Sequence, residues 1–470
     1  MKKKVAVIGG GLAGLATAIR VAEAGWSPIV IETRKRLGGR ATSFEDPRSG
    51  RTLDNCQHVV MGCCSNLVDF YDRLGVLDQI EWHEETWWAN PPGNPDRMSP
   101  SFLPAPLHFT GGFMRMRLLS LQSKLAISRA MFSLLRLGLA GRMGWRDRTF
   151  LDFLRDLKQP SDAIELFWTP IIVSACNLGV EEVAADLAMK VIQEGFLAGR
   201  WHSAIGLARA DLSALYDPAA HIIEEAGGRI MAGASAHGIA YDGVRVSGVI
   251  TNQGMVHAAS VVSALPPERL DRIASLPMRD ADSRLRRLEE FEASPILGVH
   301  MFFEAPIMNV GDRSMPYLVL PGRPTQWLFN KGEGADGLHH VHAVVSAAVD
   351  WMGLTEKEIA ERVLQDIYWA LPAARGLVPG VVRAIKEKRA TFKATPAINR
   401  LRPSVQAGVS AGGVGISNLF LAGDWCDTGW PATMEGAVRS GYQAAAAITG
   451  TGGIVPDVPV ARMPRWLGLR

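Results

Sequence analysis

The first thirty-odd residues alternate apolar runs and glycines in an order that predicts a strand, a turn, a helix and a second strand. A β-branched run covers Val5 to Ile8, three glycines follow, and an Ala-rich helical stretch precedes a second apolar run that ends at Glu32. Two strands joined by one helix are typical of a parallel sheet. The pattern therefore predicts an α/β fold that begins with a βαβ unit.

Two further regions extend this prediction. Residues 227–267 show short apolar runs separated by turn residues, which predicts several short strands. Residues 418–448 show a buried strand, an acidic turn, a proline and a helix of small residues. Both regions therefore fit the middle and the end of the same α/β domain.

A third region, residues 103–148, predicts a basic amphipathic helix. The apolar residues at helical spacing are Leu118, Leu121, Leu125, Phe132 and Leu135. The basic residues around them, which accompany the single acid Asp147, are Arg115, Arg117, Lys124, Arg129, Arg136, Arg142, Arg146 and Arg148. A helix of this kind lies in a membrane interface, with cations toward anionic lipid. A helix that packs on the protein's own core and exposes a basic face has the same spacing.

Composition narrows the class of protein. The chain has 470 residues, of which 47% are hydrophobic and 21% charged, and its net charge is +3. This is a folded protein of roughly two or three domains, and the charge is too small to indicate nucleic-acid binding. Five cysteines without a CxxC pair indicate a reducing, cytoplasmic compartment, and no metal site is expected. The apolar run Leu166 to Val180 contains Pro170 and is too short to cross a bilayer.

The glycine turn carries the first chemical signal. Gly9, Gly11 and Gly14 form a GxGxxG pattern between the predicted strand and helix, with Leu12 and Ala13 at the helix start. Such a turn brings backbone N–H groups to a pyrophosphate. Glu32 ends the second strand, where a carboxylate binds ribose hydroxyls and disfavours a 2′-phosphate. The sequence therefore predicts an adenine dinucleotide site.

The next segment resembles a known signature and decides between dinucleotides. Arg34, Gly38, Gly39 and Arg40 lie in a GGR motif similar to that of flavin amine oxidases and carotenoid desaturases. The resemblance implies noncovalent FAD, with the glycines and arginines against its pyrophosphate. It also implies a Rossmann-type FAD-binding domain of the amine oxidase or glutathione-reductase kind.

The C-terminal region resembles the second FAD motif of the same superfamily. Asp424, after Gly423, is implied to bind the ribityl chain, and the helix that begins near Thr433 and Met434 to face the flavin pyrimidine. The backbone near Ala236 is implied to contact adenine. The FAD domain is therefore expected at residues 1–75, 207–285 and 405–450. An interleaved α+β substrate domain is expected at 76–206 and 286–404, followed by a tail at 451–470.

The whole chain resembles the squalene-associated FAD-dependent desaturase family, known as hydroxysqualene dehydroxylases. The resemblance is carried by the C-terminal motif and by residues 53–63, 103–108, 119–130 and 167–177. It implies reductive removal of the allylic hydroxyl of hydroxysqualene, a long isoprenoid, in squalene and hopanoid synthesis, with hydride from the N5 atom of the reduced flavin. It also implies an apolar tunnel, contact with the inner face of the cell membrane and proximity to other squalene-synthesis enzymes.

The polar cluster inside residues 53–63 is the candidate reaction site. Asp54, Gln57 and His58 would bind or protonate the hydroxyl, and His58 is the first choice for the acid because of its pKa range. The same residues could instead satisfy backbone groups between strands. Family members more often have Gly at the position of Cys56, and a Gly-to-Cys change matters where φ is positive.

Two other functions fit parts of the pattern. A carotenoid desaturase of the phytoene type uses the same fold and carries a stretch similar to residues 389–403. A prenyl-lipid escort protein shares the fold without redox chemistry, although the intact Gly11, Gly14, Glu32 and Asp424 argue against it. A second GxGxxG is absent, so NADPH binding transiently or a separate reductase is expected to supply electrons.

Overall fold

A computed structural model describes residues 2–408 and 414–470 of the chain. At its centre lies a five-stranded parallel sheet that contains the predicted βαβ unit. Its strands, in spatial order, are Arg229–Ala232, Ser27–Glu32, Lys4–Ile8, Ser260–Ser263 and Leu419–Leu421. The mixed α/β architecture with a parallel sheet confirms the predicted fold class.

Strands from distant parts of the chain meet in this sheet because each is a short apolar run. The segments predicted for the FAD domain each contribute: the first gives two strands, the second two and the third one. The exact domain boundaries stay a prediction.

The helices of eight or more residues lie around the two main sheets. They are Leu12–Glu23, Ser65–Arg73, Leu121–Gly141, Thr169–Cys176, Ala185–Ile192, Pro218–Glu225, Glu356–Ala370 and Met434–Thr449. Shorter helices are Thr110–Arg115, Phe150–Asp156, Ser161–Ala163, Pro267–Ile273, Leu276–Ala281, Pro396–Leu401 and Arg462–Leu467. The first and the last long helix pack together, since a Cβ at Gly441 would lie only 2.4 Å from the carbonyl oxygen of Ala13.

A seven-stranded sheet forms the second main layer. Its strands, in spatial order, are Val381–Phe392, Ala293–Phe303, His339–Ser346, Trp327–Glu333, Tyr317–Val319, Thr86–Trp88 and Asp96–Met98. Neighbouring strands are antiparallel except Tyr317–Val319 with Thr86–Trp88. All these strands come from the segments predicted for the substrate domain.

The two faces of the seven-stranded sheet differ, and the difference positions the candidate site. Side chains alternate between faces along a strand. On the strand Ala293–Phe303, Leu297 and Val299 belong to the apolar core that also contains Ile359 of the helix Glu356–Ala370. Gly298, which lies between them, faces the opposite side, toward Asn55 and Cys56.

Smaller sheets connect the layers. A hairpin joins Ser43–Asp46 to Arg51–Asp54 and so leads into the polar cluster. Three strands pair in the order Val59–Met61, Ile205–Ala208 and Ile80–His83. The remaining strands are Ala236–Tyr241, Val246–Thr251 and Gly254–His257 in one sheet, and Asn309–Val310 with Arg313–Ser314 in another.

Candidate active site

The glycine turn after the first strand presents bare backbone. Gly9 has a φ of +108°, a conformation that favours glycine. A Cβ at Gly14 would lie 1.9 Å from the carbonyl oxygen of Gly9, so only glycine fits there. At Gly11 the nearest atom to an added Cβ would be the Cα of Gly39, at 3.7 Å. The outer side of the turn is therefore open where the sequence predicts a pyrophosphate.

The helix Leu12–Glu23 begins directly at this turn. Its N-cap is Gly11, and no side chain bonds to its first N–H groups. The side chains of Leu12 and Ala13 are buried, while the N–H groups of the first turn have no intrahelical acceptor. Such N–H groups and the partial positive charge of the helix end suit an anion.

The predicted ribose and adenine residues lie side by side. The Glu32 carboxylate accepts hydrogen bonds from the N–H groups of Gly10 at 2.7 Å and Arg34 at 2.8 Å. The N–H of Ala234 donates to the carbonyl of Glu32 at 3.0 Å, which brings the chain before Ala236 to the same place. The carboxylate therefore lies at the edge of the glycine turn with acceptor capacity to spare.

The GGR segment packs against the turn. The N–H of Gly38 donates to the carbonyl of Gly10 at 2.9 Å, and the Nη1 of Arg34 donates to the carbonyl of Gly39 at 3.1 Å. Gly39 has a φ of +64°, and its added Cβ would lie 3.0 Å from the Cα of Gly11. Two glycines in contact thus leave space beside both main chains.

An ion pair connects the two predicted FAD motifs. The Nη2 of Arg40 lies 2.6 Å from the Oδ1 of the buried Asp424, and its Nη1 donates to the carbonyl of Ala390 at 2.7 Å. Gly423 has a φ of +153°, and its N–H donates to the Oγ of Ser440 at 2.8 Å. Residues 384 positions apart are therefore in direct contact.

The second helix end completes the candidate cofactor site. Thr433 caps the helix Met434–Thr449, because its Oγ1 accepts a hydrogen bond from the N–H of Gly436 at 3.2 Å. Open glycine backbone, two helix N-termini and arginine side chains match the charge and shape of an extended dinucleotide diphosphate such as FAD. The residues present therefore fit the cofactor implied by the motifs, and their individual roles stay predictions.

Asp54, the first residue of the polar cluster, is buried and fully engaged. Its Oδ1 accepts from the Oγ of Ser43 at 2.7 Å and the N–H of Leu212 at 3.3 Å, and its Oδ2 lies 3.2 Å from the Nζ of Lys331. Burial would raise its pKa, but Lys331 and the Ser43 hydroxyl outweigh burial, so the pKa of Asp54 is lowered. Asp54 is therefore an ionised carboxylate at neutral pH.

The neighbouring residues join this carboxylate to the GGR segment. The Nδ2 of Asn55 donates to the carbonyl of Arg40 at 3.2 Å and to the Oε2 of Glu387 at 2.9 Å. The Oε1 of Gln57 lies 3.4 Å from the Nζ of Lys331. The polar cluster is thus continuous with the candidate cofactor site.

His58 has one free ring nitrogen. Its Nδ1 lies 3.0 Å from the carbonyl oxygen of Cys56, and because a carbonyl only accepts, Nδ1 carries the proton. The Nε2 of the neutral ring is then an acceptor. Burial lowers the pKa of His58, so the neutral form prevails at neutral pH. The assignment of His58 as the acid stays a prediction.

Cys56 takes an ordinary place in the core. The non-glycine residues with positive φ in the described chain are Lys158, Asn177 and Ala347, so Cys56 is not strained. Burial raises the pKa of its thiol to about 12, which keeps the thiol neutral.

Sequence reasoning missed Lys331, and it also missed His300, His340 and His342 on the seven-stranded sheet. Lys331 lies 277 positions from Asp54 and reaches it from an irregularity in the strand pairing, between Asn330 and Gly332. Another missed residue is Tyr216, whose buried ring lies against Gly38. No spacing in the sequence marks these residues.

The basic helix differs from its prediction in two respects. Leu121, Leu125 and Phe132 are 64%, 51% and 54% exposed, whereas Leu135, predicted on the same face, is buried in the core. Lys124 is also buried, and its Nζ donates to the carbonyl of Met114. Four of the predicted cations form ion pairs, namely Arg117, Arg142, Arg146 and Arg148. The exposed surface is therefore a narrower apolar stripe with fewer free cations.

The described residues lack two features that would indicate a membrane span or a metal centre. Within residues 2–408 and 414–470, no helix combines the length and the apolar character needed to traverse a bilayer. The same residues contain no group of three or more His, Cys, Asp or Glu side chains arranged to hold a metal ion.

Comparison with known families gives a match along most of the chain. The profile of the family described as flavin containing amine oxidoreductase matches residues 12–449. The hydroxysqualene dehydroxylase of Rhodopseudomonas palustris is 28% identical over 464 residues, which cover 96% of this chain and 100% of the relative. The 15-cis-phytoene desaturase of Synechococcus elongatus is 23% identical over 470 residues, which cover 95% of each.

Solved structures share the fold. An oxidoreductase from Methanosarcina mazei has a TM-score of 0.70 at 18% identity and covers 95% of this chain and 100% of its own. Wild-type putrescine oxidase, solved with putrescine, has a TM-score of 0.70 at 17% identity, with coverage of 96% and 100%. At these identities the comparison concerns the fold alone.

Proposed function

The chain belongs to the family of flavin containing amine oxidoreductases, and on that premise we propose that it reductively removes the allylic hydroxyl of hydroxysqualene to give squalene. The observation that carries the proposal is the 28% identity to a hydroxysqualene dehydroxylase, which extends over all of that relative. Dehydroxylases of Sinorhizobium fredii and Zymomonas mobilis are each 26% identical. The chain is in any case a flavin-dependent oxidoreductase.

The reaction replaces a carbon–oxygen bond by a carbon–hydrogen bond. Reduced FAD, when bound, would supply the hydride, and the oxygen would leave as water once it receives a proton. Asp54 and Lys331 form an ion pair beside Gln57. Because the two charges cancel, the site can bind an uncharged polar group. This arrangement supports the binding of a hydroxyl next to the GGR segment.

His58 is the proposed proton donor. The carbonyl of Cys56 contacts the Nδ1 of His58 and not the Nε2. Protonation of the ring therefore adds a hydrogen-bond donor at Nε2. Because burial lowers the pKa of His58, the acid form grows as the pH falls below neutrality. We therefore expect the rate of dehydroxylation to rise on mild acidification and this rise to disappear in His58→Gln.

The exposed apolar stripe supports contact with a membrane surface. Leu121, Leu125 and Phe132 project from one side of the helix Leu121–Gly141, and Arg129 and Arg136 are exposed on the same helix. Apolar side chains flanked by cations match the interface of an anionic bilayer. A membrane-bound protein would receive its isoprenoid substrate directly from the lipid phase, at the inner face of the cell membrane.

The second candidate is a carotenoid desaturase of the phytoene type. It is favoured by the similarity to phytoene desaturases, which also extends over 95% of this chain. That reaction removes hydride from a hydrocarbon and needs an oxidant rather than a reductant.

One anaerobic experiment separates the two candidates. The FAD-loaded protein is reduced with dithionite and mixed with hydroxysqualene, and the oxidised protein is mixed with phytoene and a quinone. We expect squalene and reoxidised flavin in equal amounts from the first mixture and unchanged phytoene from the second. New double bonds in phytoene, with hydroxysqualene left intact, would reverse the assignment.

A further inference from the structure

The short helix Arg462–Leu467 presents a tryptophan to the solvent. Trp466 lies on this helix and is 83% exposed. A tryptophan ring is a large apolar surface, and folded proteins ordinarily bury most of it. A single exposed apolar side chain needs no partner, so the surroundings of Trp466 decide what it means.

The chain after Trp466 packs directly on the longer helix that carries the exposed apolar stripe. Gly468 has a φ of +124°, and a Cβ added there would lie only 3.2 Å from the Cα of Arg136. The N–H of Leu139 donates to the carbonyl of Arg470 at 3.2 Å. The two segments therefore touch backbone to backbone, and this contact fixes the position of the short helix.

Arg136 connects this contact to the exposed apolar stripe. It follows Phe132 by four residues on the longer helix, so the two side chains share a face, and both are exposed. Trp466 precedes Gly468 by two residues, which span at most about 7 Å of chain. The backbone of Trp466 therefore lies close to the stripe, on the side that faces the solvent.

The charged side chains of the two segments are all positive. Neither residues 121–141 nor residues 461–467 contain an Asp or a Glu, although the net charge of the whole chain is only +3. The exposed cations are Arg129 and Arg136 on the longer helix and Arg462 and Arg465 beside Trp466. Apolar side chains among unopposed cations are complementary to an apolar phase with an anionic surface.

We propose that Trp466 is a membrane anchor, which joins the exposed apolar stripe in one surface that binds the headgroup region of an anionic bilayer. This inference rests on the membrane contact of the proposed function and adds a second element to it. The ring of tryptophan is apolar and its N–H is a hydrogen-bond donor, so the residue suits the boundary between acyl chains and headgroups. Arg462 and Arg465 attract anionic lipid to the same place.

Quenching by brominated lipid tests the position of Trp466. The FAD-loaded protein is mixed with vesicles of phosphatidylglycerol and phosphatidylcholine whose acyl chains carry bromine, and its tryptophan fluorescence is compared with that in unbrominated vesicles. Trp466→Phe keeps an apolar ring, so it should stay bound and lose much of the quenching. Trp369→Phe is the control and should keep the quenching, since Trp369 packs on the second apolar core and not on the core beneath the stripe.

Sedimentation with the same vesicles tests the contribution to binding. Trp466→Ala should weaken binding roughly tenfold, because a large apolar surface no longer enters the interface. Arg462→Gln with Arg465→Gln should weaken it about fivefold for each charge removed, and only when the vesicles contain phosphatidylglycerol. Arg245→Gln, which removes an exposed cation from the turn after Tyr241, should bind like the wild type.

Three results would overturn the inference. These are quenching that Trp466→Phe leaves unchanged, wild-type sedimentation of Trp466→Ala, and a wild-type dimer that Trp466→Ala dissociates without vesicles, since the surface would then bind a second copy. Failure of the proposed membrane contact is distinguishable, because Leu125→Asn with Phe132→Asn would then also sediment like the wild type. Vesicle binding needs no substrate, so failure of the proposed reaction would leave these measurements unchanged.

Discussion

Replacement of Gly11 by Ala should separate cofactor binding from folding. Gly11 has φ −79° and ψ −179°, which alanine adopts without strain, and an added Cβ would make one ordinary contact at 3.7 Å. The loss of glycine's freedom in the unfolded chain stabilises by about 0.4–1 kcal/mol. The poorer N-cap costs about as much. The free energy of unfolding of the FAD-free protein should therefore change by less than about 1 kcal/mol.

The affinity for FAD should fall in the same variant. The methyl group would occupy the open side of the turn, where the pyrophosphate is predicted to approach the backbone. An extra methyl group in a close contact costs about 1–3 kcal/mol, which corresponds to a dissociation constant that is roughly 5- to 150-fold larger. Cofactor binding and stability should thus respond differently to one substitution.

The assay is an FAD titration of the apoprotein followed by flavin fluorescence, together with thermal unfolding. Gly14→Ala is the control for folding, because its Cβ would overlap the carbonyl oxygen of Gly9 at 1.9 Å. It should lower the melting temperature. Gly144→Ala, whose added Cβ has open space around it, should leave FAD affinity unchanged and raise the melting temperature slightly. Wild-type FAD affinity in a folded Gly11→Ala protein would refute the placement of the pyrophosphate.

Three further predictions concern the rest of the molecule. Asp424→Asn removes the carboxylate that is implied to bind the ribityl chain and that pairs with Arg40, and it should weaken FAD binding at least tenfold in the same titration. Burial lowers the pKa of His300 to about 4 from 6.5, so the unfolded chain binds a proton first as the pH falls. His300 alone should therefore lower the free energy of unfolding by about 3 kcal/mol between pH 6.5 and 4, and denaturant unfolding of His300→Gln should show a loss smaller by that amount. The double substitution Leu125→Asn and Phe132→Asn should reduce sedimentation with anionic vesicles at least tenfold. Val244→Asn, which changes an exposed apolar residue between two strands, should not reduce it.

The candidate cofactor site could be predicted from sequence because local backbone geometry dictates it. Gly9 needs a positive φ, and Gly14 has no room for a side chain, so these glycines are visible as a pattern within a few positions. Glu32 ends the next strand, Ser27–Glu32, and the length of that strand is set by its pairing with Lys4–Ile8 in the sheet. The resemblance to known motifs assigned Arg40 and Asp424 to different parts of FAD and did not predict their contact, since no local rule joins residues so far apart.

The reaction site could be predicted only in part because the register of the sheet assembles it. The cluster from Asp54 to His58 is conspicuous in the sequence, but Lys331 comes from a strand that carries no motif. It reaches the cluster from an irregularity in the pairing of that strand, between Asn330 and Gly332. No sequence pattern marks this irregularity.

The exposed helix shows a related gap in sequence reasoning. Helical spacing groups Leu121, Leu125 and Phe132, but it does not say whether such a stripe faces the core or the solvent. The buried face is formed instead by Ala126, Ile127, Ala130, Leu134 and Leu135.

The polar cluster serves two purposes, and this affects how its variants should be interpreted. Asp54 binds Ser43, Leu212 and Lys331 through its carboxylate, and its carbonyl accepts from His300. Loss of one partner of a buried ion pair costs about 3–5 kcal/mol, so an inactive Asp54 variant would report disrupted packing as readily as lost chemistry. Among the described residues, the side chains of Gln57 and His58 hold no comparable network. Assignment of the chemistry therefore depends on these two positions.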